Sequence, residues 1–282
     1  MGTYVVTGSA SGMGAAVVSR LREAGHEVIG VDLREAEVVA DLSTAEGRAS
    51  AGRTVLERAG GRLDGAVLAA GVGPMPGREE LIAAVNYSGV VELLEAWRPA
   101  LAAAGNARVV VFSSNSTTTV PAVPGGVVRA LLKGDRARAI RVARRMGKNA
   151  PAMVYAGSKI AVSRWMRRNA VTAEWAGAGI RLNAIAPGAI LTPLLQKQLS
   201  EPEEAKAIEN FPVPVGGFGD PAHIADWVLM MLGPSAQFLC GAVIFVDGGT
   251  DAYFRADDWP VPLGLTRVRG YLRRMKEFRR PA

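Results

Sequence analysis

"TYVVTGSASGMGAAVV", Thr3 to Val18, joins an apolar, β-rich run to a helical one through a turn that holds Gly8, Gly12 and Gly14. Thr3 to Thr7 reads as a strand, and Met13 to Ala24 has helical periodicity. Glycines at such a junction allow positive φ and let a pyrophosphate approach backbone N–H groups at the positive end of the helix dipole. A glycine turn by itself equally suits a tight strand-to-helix connection with no ligand, so the surroundings must decide.

The same strand-then-helix unit recurs along the chain. Further strands are expected near Glu27 to Asp32, Glu37 to Ala40, Asp64 to Ala70, Ala107 to Ser113, Gly179 to Ile185 and Ala242 to Val246. Helical periodicity covers Ala45 to Ala59, Glu79 to Ala104, Met153 to Ala176 and Pro221 to Leu232, the last with Asp220 as N-cap and Pro221 at the first position. This alternation predicts an α/β fold: a Rossmann-like, doubly wound, seven-stranded parallel sheet with helices on both faces. Right-handed crossovers put the carboxyl ends of the strands on one edge, where ligands bind.

Two segments stand outside the alternation. Val120 to Pro151 holds the basic helical pattern "VVRALLKGDRARAIRVARRM" where a short connection would suffice, and it reads as an insertion. The tail after Tyr253 repeats Leu265, Val268, Leu272 and Met275 at helical spacing among arginines. The expected organisation is one domain over 1–252, with the insertion at about 120–151, and a basic extension over 253–282.

Net charge is +7 over 282 residues, but it is local. Val127 to Ala150 carries +7 and Tyr253 to Ala282 carries +5, leaving −5 for the remainder, which argues against a nucleic-acid partner. Cys240 is the only cysteine, so no intrachain disulfide forms, and the N-terminus has no export-signal pattern; a cytoplasmic protein is expected. Trp227 to Val246 is interrupted by Pro234, Ser235 and Gln237, so no integral membrane contact is expected either. His26 and His223 form no cluster that calls for a metal.

Asp32 ends the second predicted strand about twenty residues beyond the glycines, where a carboxylate can accept hydrogen bonds from adenosine ribose hydroxyls. An anion there repels a 2′-phosphate, so NAD is favoured over NADP, although Arg34 lies close by. In "VYAGSKIA", Tyr155 and Lys159 share one helix face, one turn apart. A free phenol ionises near pH 10, and each tenfold gain in its ionisation takes about 1.36 kcal/mol. A neighbouring ammonium is expected to supply some of that and make Tyr155 a usable acid or base.

In order and strand placement, "TGSASGMG", Asp32, Asp41-Leu42, "AAG" at Ala69 to Gly71, "NYSG" from Asn86, Ser113-Ser114, "YAGSK" and Pro187-Gly188 with Thr192 resemble the short-chain dehydrogenase/reductase family over about residues 3 to 250. The resemblance implies hydride transfer to or from a nicotinamide, with Tyr155 moving the proton. It implies that Lys159 also holds the nicotinamide ribose, Ser114 holds the substrate oxygen and Asn86 anchors a water of a proton path. Ser113 differs from Ser114 by one step of strand alternation. Cofactor contacts are implied for Gly8, Ser11, Gly12, Met13 and Gly14, then for Asp32, Leu33, Asp41 and Leu42. Ala70, Gly71, Tyr155, Lys159, Pro187, Gly188, Ile190 and Thr192 complete that set. Ala69 departs from the family, which usually has asparagine there. "AILTPLLQKQL" is implied to be a lid, made apolar by Leu191, Leu194 and Leu195.

"DLREAEVVADLSTAEGR", "RLNAIAPGAILTPLLQ" and the insertion are similar to the bacterial 3α-hydroxysteroid dehydrogenase/carbonyl reductase subgroup. That implies a secondary alcohol or ketone on an apolar, steroid-like substrate, with Met75, Pro76, Val120 and Pro121 available to line a pocket. Two other readings stand beside it: reduction of a 3-oxoacyl thioester received by the arginines, and an NAD-holding sensor without turnover. The arginines from Arg136 to Arg145 either face an acidic substrate group or form a solvated face over a subunit surface. The tail either touches anionic lipid or packs on the body or a partner subunit, covering Trp259, Leu263 and Leu265. A homo-oligomer, dimer or tetramer, is expected, with the insertion favouring the dimer.

Overall fold

All seven expected strands form, in one parallel sheet ordered β3-β2-β1-β4-β5-β6-β7. They are β1 (Thr3–Thr7), β2 (Glu27–Asp32), β3 (Val38–Val39), β4 (Gly65–Leu68), β5 (Arg108–Phe112), β6 (Arg181–Pro187) and β7 (Val243–Val246). The structure, a computed structural model, describes residues 1–200 and 202–278. Register brings Thr7 level with Val31 and Leu68, Phe112 level with Ile185, and Pro187 level with Val246. The residues that follow these strands therefore emerge along one edge.

Strand alternation divides the core between the two faces. Val5, Leu68, Val109 and Leu182 pack on one side with α2 (Ala45–Arg58), α4 (Gly89–Ala103) and α8 (Ala150–Asn169). Tyr4, Val6, Val67, Val110 and Ile185 pack on the other with α1 (Gly12–Glu23) and α11 (Pro221–Leu232). Asp220 caps α11 as expected, its carboxylate accepting from Ala222 N at 2.7 Å.

The expected helix over Glu79 to Ala104 is three pieces: α3 (Glu79–Ala83), a π-helical turn at Ala84–Ser88, and α4. The extra residue of a π turn is invisible to a 3.6-residue period, and this one carries Asn86. α8 starts earlier and ends earlier than the periodicity predicts, at Asn169 in place of Ala176. Pro151 suits its first turn, and beyond Ala170 the apolar pattern comes from a turn that buries Trp175.

The insertion is not simply a solvated face. α5 (Ser116–Thr119) is followed by a hairpin of α6 (Gly125–Leu131) and α7 (Arg136–Arg144), which buries Val127, Val128, Leu131, Ile140 and Ala143 against α8 and α3. Val127 meets α8 at Gly157, where a Cβ would lie 2.6 Å from a Val127 methyl. Arg138, Arg141, Arg144 and Arg145 keep the outer face.

After β6 the stretch expected to be a lid, Ala189 to Leu199, contains α9 (Pro193–Leu199), and α10 (Pro202–Glu209) comes after it; Leu191 is exposed, and the side chain of Leu194 lies outside the described residues. After β7 come α12 (Thr250–Arg255) and α13 (Val268–Glu277). The body does not cover the tail: Trp259 is 72% and Leu265 is 91% exposed, with Leu263 also exposed. Packing of this segment on its own body is thus overturned. No helix among the described residues is long and apolar enough to cross a membrane.

Candidate active site

The turn after β1 is built around its glycines. Gly8 and Gly12 adopt φ of 70° and 55°, in the left-handed region that an L side chain rarely enters. At Gly14 the restriction is contact, since a Cβ would lie 2.0 Å from the Gly8 carbonyl oxygen. Ser11 is the N-cap of α1, leaving the first N–H groups of that helix aimed out of the sheet edge.

Asp32 stands across from this turn. One carboxylate oxygen accepts from Ala10 N at 3.0 Å and the other from Leu33 N at 2.6 Å. The carboxylate therefore ties the glycine turn to the end of β2. A cavity of about 290 Å³ opens here, lined by Gly8, Ser11, Gly12, Met13, Gly14, Asp32, Leu33, Asp41, Leu42, Ala70, Gly71 and Thr192. All of these are expected cofactor contacts. The periodicity of the sequence missed Leu81 and Val85, which line the same cavity from α3 and the π turn. Their i, i+4 spacing was the available signal, hidden by a helix read as uniform.

A second cavity of about 130 Å³ shares Met13, Ala69, Gly71 and Val72 with the first and extends it to Ser114, Tyr155, Lys159, Pro187 and Gly188. Ser113 also borders it, but its hydroxyl lies 2.7 Å from that of Ser163 on α8. Ser114 accepts from Ser116 N and interacts with the Tyr155 phenol, so the two serines are distinguished as strand alternation requires. Gly71 lies between Asn86 and Lys159: a Cβ built there would sit in ordinary contact, 3.5 Å from Asn86 Oδ1 and 3.6 Å from Lys159 Nζ. Asn86 is fully buried, accepting from Val72 N at 2.8 Å and donating to Val72 O at 2.9 Å.

The Ile190 side chain borders neither of these two cavities. It packs in the α1/α11 core and borders a different cavity, of about 160 Å³, with Val213, Phe218 and His223. Of the four residues expected to shape the substrate side, Val120 and Met75 are partly buried, while Pro76 and Pro121 are exposed.

The electrostatics also correct the sequence reading. Burial raises the Tyr155 pKa, with the Ser114 hydroxyl pulling in the lowering direction, so the expected depression by Lys159 does not emerge. The reason lies in Lys159 itself. Its ammonium is buried, which lowers its pKa to about 8, and it donates to Phe112 O at 2.8 Å. The phenol is accordingly a protonated donor at neutral pH, beside a cation that is costly to keep charged.

A family model described as NAD dependent epimerase/dehydratase family matches residues 4–188, and one described as Enoyl-(Acyl carrier protein) reductase matches residues 137–251. The 3-alpha-hydroxysteroid dehydrogenase/carbonyl reductase of Comamonas testosteroni is 40% identical, over 90% of this chain and 98% of that protein. The crystal structure of the 3-alpha-hydroxysteroid dehydrogenase from Pseudomonas sp. B-0831 complexed with NADH is 44% identical, covers 90% of this chain and 99% of its own, and superposes with a TM-score of 0.84. A more distant relative, galactitol 2-dehydrogenase (L-tagatose-forming) of Cereibacter sphaeroides, is 28% identical over 86% of this chain and 92% of its own.

Proposed function

The chain belongs to the short-chain dehydrogenase/reductase family, and we propose that it is an NAD(H)-dependent oxidoreductase interconverting a secondary alcohol and a ketone on an apolar, steroid-like substrate. The observation that carries this reading is continuity. The cavity beneath the glycine turn and Asp32 runs into the cavity that holds Ser114, Tyr155 and Lys159.

The residues present fit a dinucleotide. The cavity beneath the turn is open along Gly8, Gly12 and Gly14, helix N–H groups are available for a pyrophosphate, and the Asp32 carboxylate retains lone pairs for a ribose. Gly8, Ser11, Gly12, Met13 and Gly14 would hold the phosphates, and Asp32, Leu33, Asp41 and Leu42 the adenosine half. Ala70, Gly71, Pro187, Gly188 and Thr192, with Lys159, would hold the nicotinamide half; Ile190 would act there through its main chain. Bound NAD(H) supplies the hydride donor or acceptor.

The chain's own residues manage the oxygen. Ser114 holds the substrate oxygen by a hydrogen bond, and Tyr155 gives its proton as negative charge develops there in reduction, or takes it back in oxidation. The Ser114 hydroxyl favours the phenolate that results, and Asn86 keeps the neighbouring backbone at Val72 fixed, beside the path by which the proton is replaced.

The catalytic unit is proposed to span residues 1–252, with 253–282 attached as an arm, in a homo-oligomer. The hairpin of α6 and α7 covers part of α8, which favours a dimer over a tetramer and can be checked by light scattering. Tyr155→Phe tests the reaction: turnover of a hydroxysteroid with NAD should fall about a thousandfold. NADH binding by fluorescence should remain within a few-fold of the parent, and undiminished turnover would refute the assignment.

A further inference from the structure

The arm leaves from the same sheet edge as the site. Asp247, just beyond β7, accepts from Gly249 N at 3.1 Å and from Asp251 N at 2.8 Å, which fixes the start of α12. α12 then packs against α5, the short helix that follows Ser114.

Beyond this anchor the apolar side chains stand in solvent. α13 places Val268, Tyr271, Leu272 and Met275 at i, i+3, i+4 and i+7, one stripe of a helix. Tyr271 is 47%, Leu272 is 53% and Met275 is 63% exposed. Arg269, Arg273 and Arg274 occupy the remaining circumference, and Arg267 precedes the helix. From Trp259 to Phe278 there is one acid, Glu277, against five Lys or Arg.

We infer that the arm over Trp259 to Phe278 docks on an anionic lipid surface. A short helix with an apolar stripe and a nearly all-cationic polar face matches the acyl/headgroup boundary, where apolar side chains insert and guanidinium groups meet phosphate. Trp259 and Tyr271 are the side-chain types that settle at headgroup level. A second copy of the chain is the weaker occupant, because it would have to set carboxylates against cations on almost the whole polar circumference. The shared fold is also complete without the arm: the matched family model stops at residue 251, and 90% of this chain already accounts for 98% of the Comamonas testosteroni protein. Departure of the arm beside α5 would hold the catalytic edge near a phase that concentrates apolar molecules.

Flotation of the full chain with vesicles tests this. Vesicles of about three parts phosphatidylcholine to one part phosphatidylglycerol should carry the protein at low salt roughly tenfold better than phosphatidylcholine alone, and release it at about 0.5 M salt. The double variant Leu272→Glu, Met275→Glu and the double variant Arg273→Glu, Arg274→Glu should each lose flotation while turnover of a water-soluble ketone is unchanged. Absence of flotation by the parent protein, or equal flotation with neutral vesicles, overturns the inference. So does a result in which the variants change only the mass measured by light scattering, which would assign the arm to a second copy. Flotation needs no turnover, so failure of the proposed reaction and failure of lipid docking are read separately.

Discussion

Lys159 is the residue at which sequence and structure part most usefully. Spacing alone places its charge one turn from Tyr155, but burial depends on what surrounds α8 and is not written in a four-residue interval. Its pKa of about 8 has a signed consequence. Between the folded value of about 8 and the unfolded value near 10.4 the unfolded chain binds the extra proton, so stability falls as pH drops through that window and is flat below it. Lys159→Met removes the effect. The parent should lose on the order of 3 kcal/mol relative to that variant between pH 10.5 and pH 8, read by urea denaturation. Asp32 gives a second prediction. Asp32→Ala should raise the ratio of NADPH-linked to NADH-linked kcat/KM roughly tenfold or more, since the carboxylate that repels a 2′-phosphate is gone. NADH-linked turnover should fall as well, because Ala10 N loses its acceptor.

At the scale of elements, existence and type were legible, while ends and irregularities were not. β1, β2 and α11 fall where the pattern puts them because strand alternation, the glycine turn and the Asp220-Pro221 start are local signals. The π turn bearing Asn86 and the early end of α8 are set by tertiary packing. The insertion shows the same division: its basic helical character is readable, but its attachment is not. Arg144 lies 3.6 Å from Glu79 of α3, and Leu131 and Ile140 are buried beneath α6 and α7. Leu131→Ala should therefore lower the unfolding free energy by about 2–5 kcal/mol, whereas Arg138→Ala on the outer face should change it by less than about 0.5 kcal/mol. Parallel denaturant titrations decide this; equal effects would mean that the hairpin is not packed as described.

For the whole molecule, the doubly wound order was readable because seven apolar runs alternate with helices, and the site was readable because its residues follow strand ends that such an order aligns. The fate of the C-terminal arm was not, since exposure is a property of the folded body. That body and arm should separate under brief trypsin treatment. Cleavage at Arg267, Arg269, Arg273 and Arg274 should precede any cut before Arg255, and NADH-linked activity should survive the loss, as followed by mass spectrometry and absorbance.

Strand order also dictates a timetable. β1 is synthesised before both of its neighbours, yet it lies between β2 and β4 and cannot be enclosed until Gly65–Leu68 exists. The later seam is slower still, because β5 must wait for β6 across everything from Ser113 to Ile180, the hairpin and α8 included. Closing such distant seams delays the rate-limiting step, so refolding belongs to the regime of milliseconds to seconds or longer. A nascent chain released before Pro187 would expose Val109 to Phe112 as a bare strand edge, a ready template for pairing with another chain.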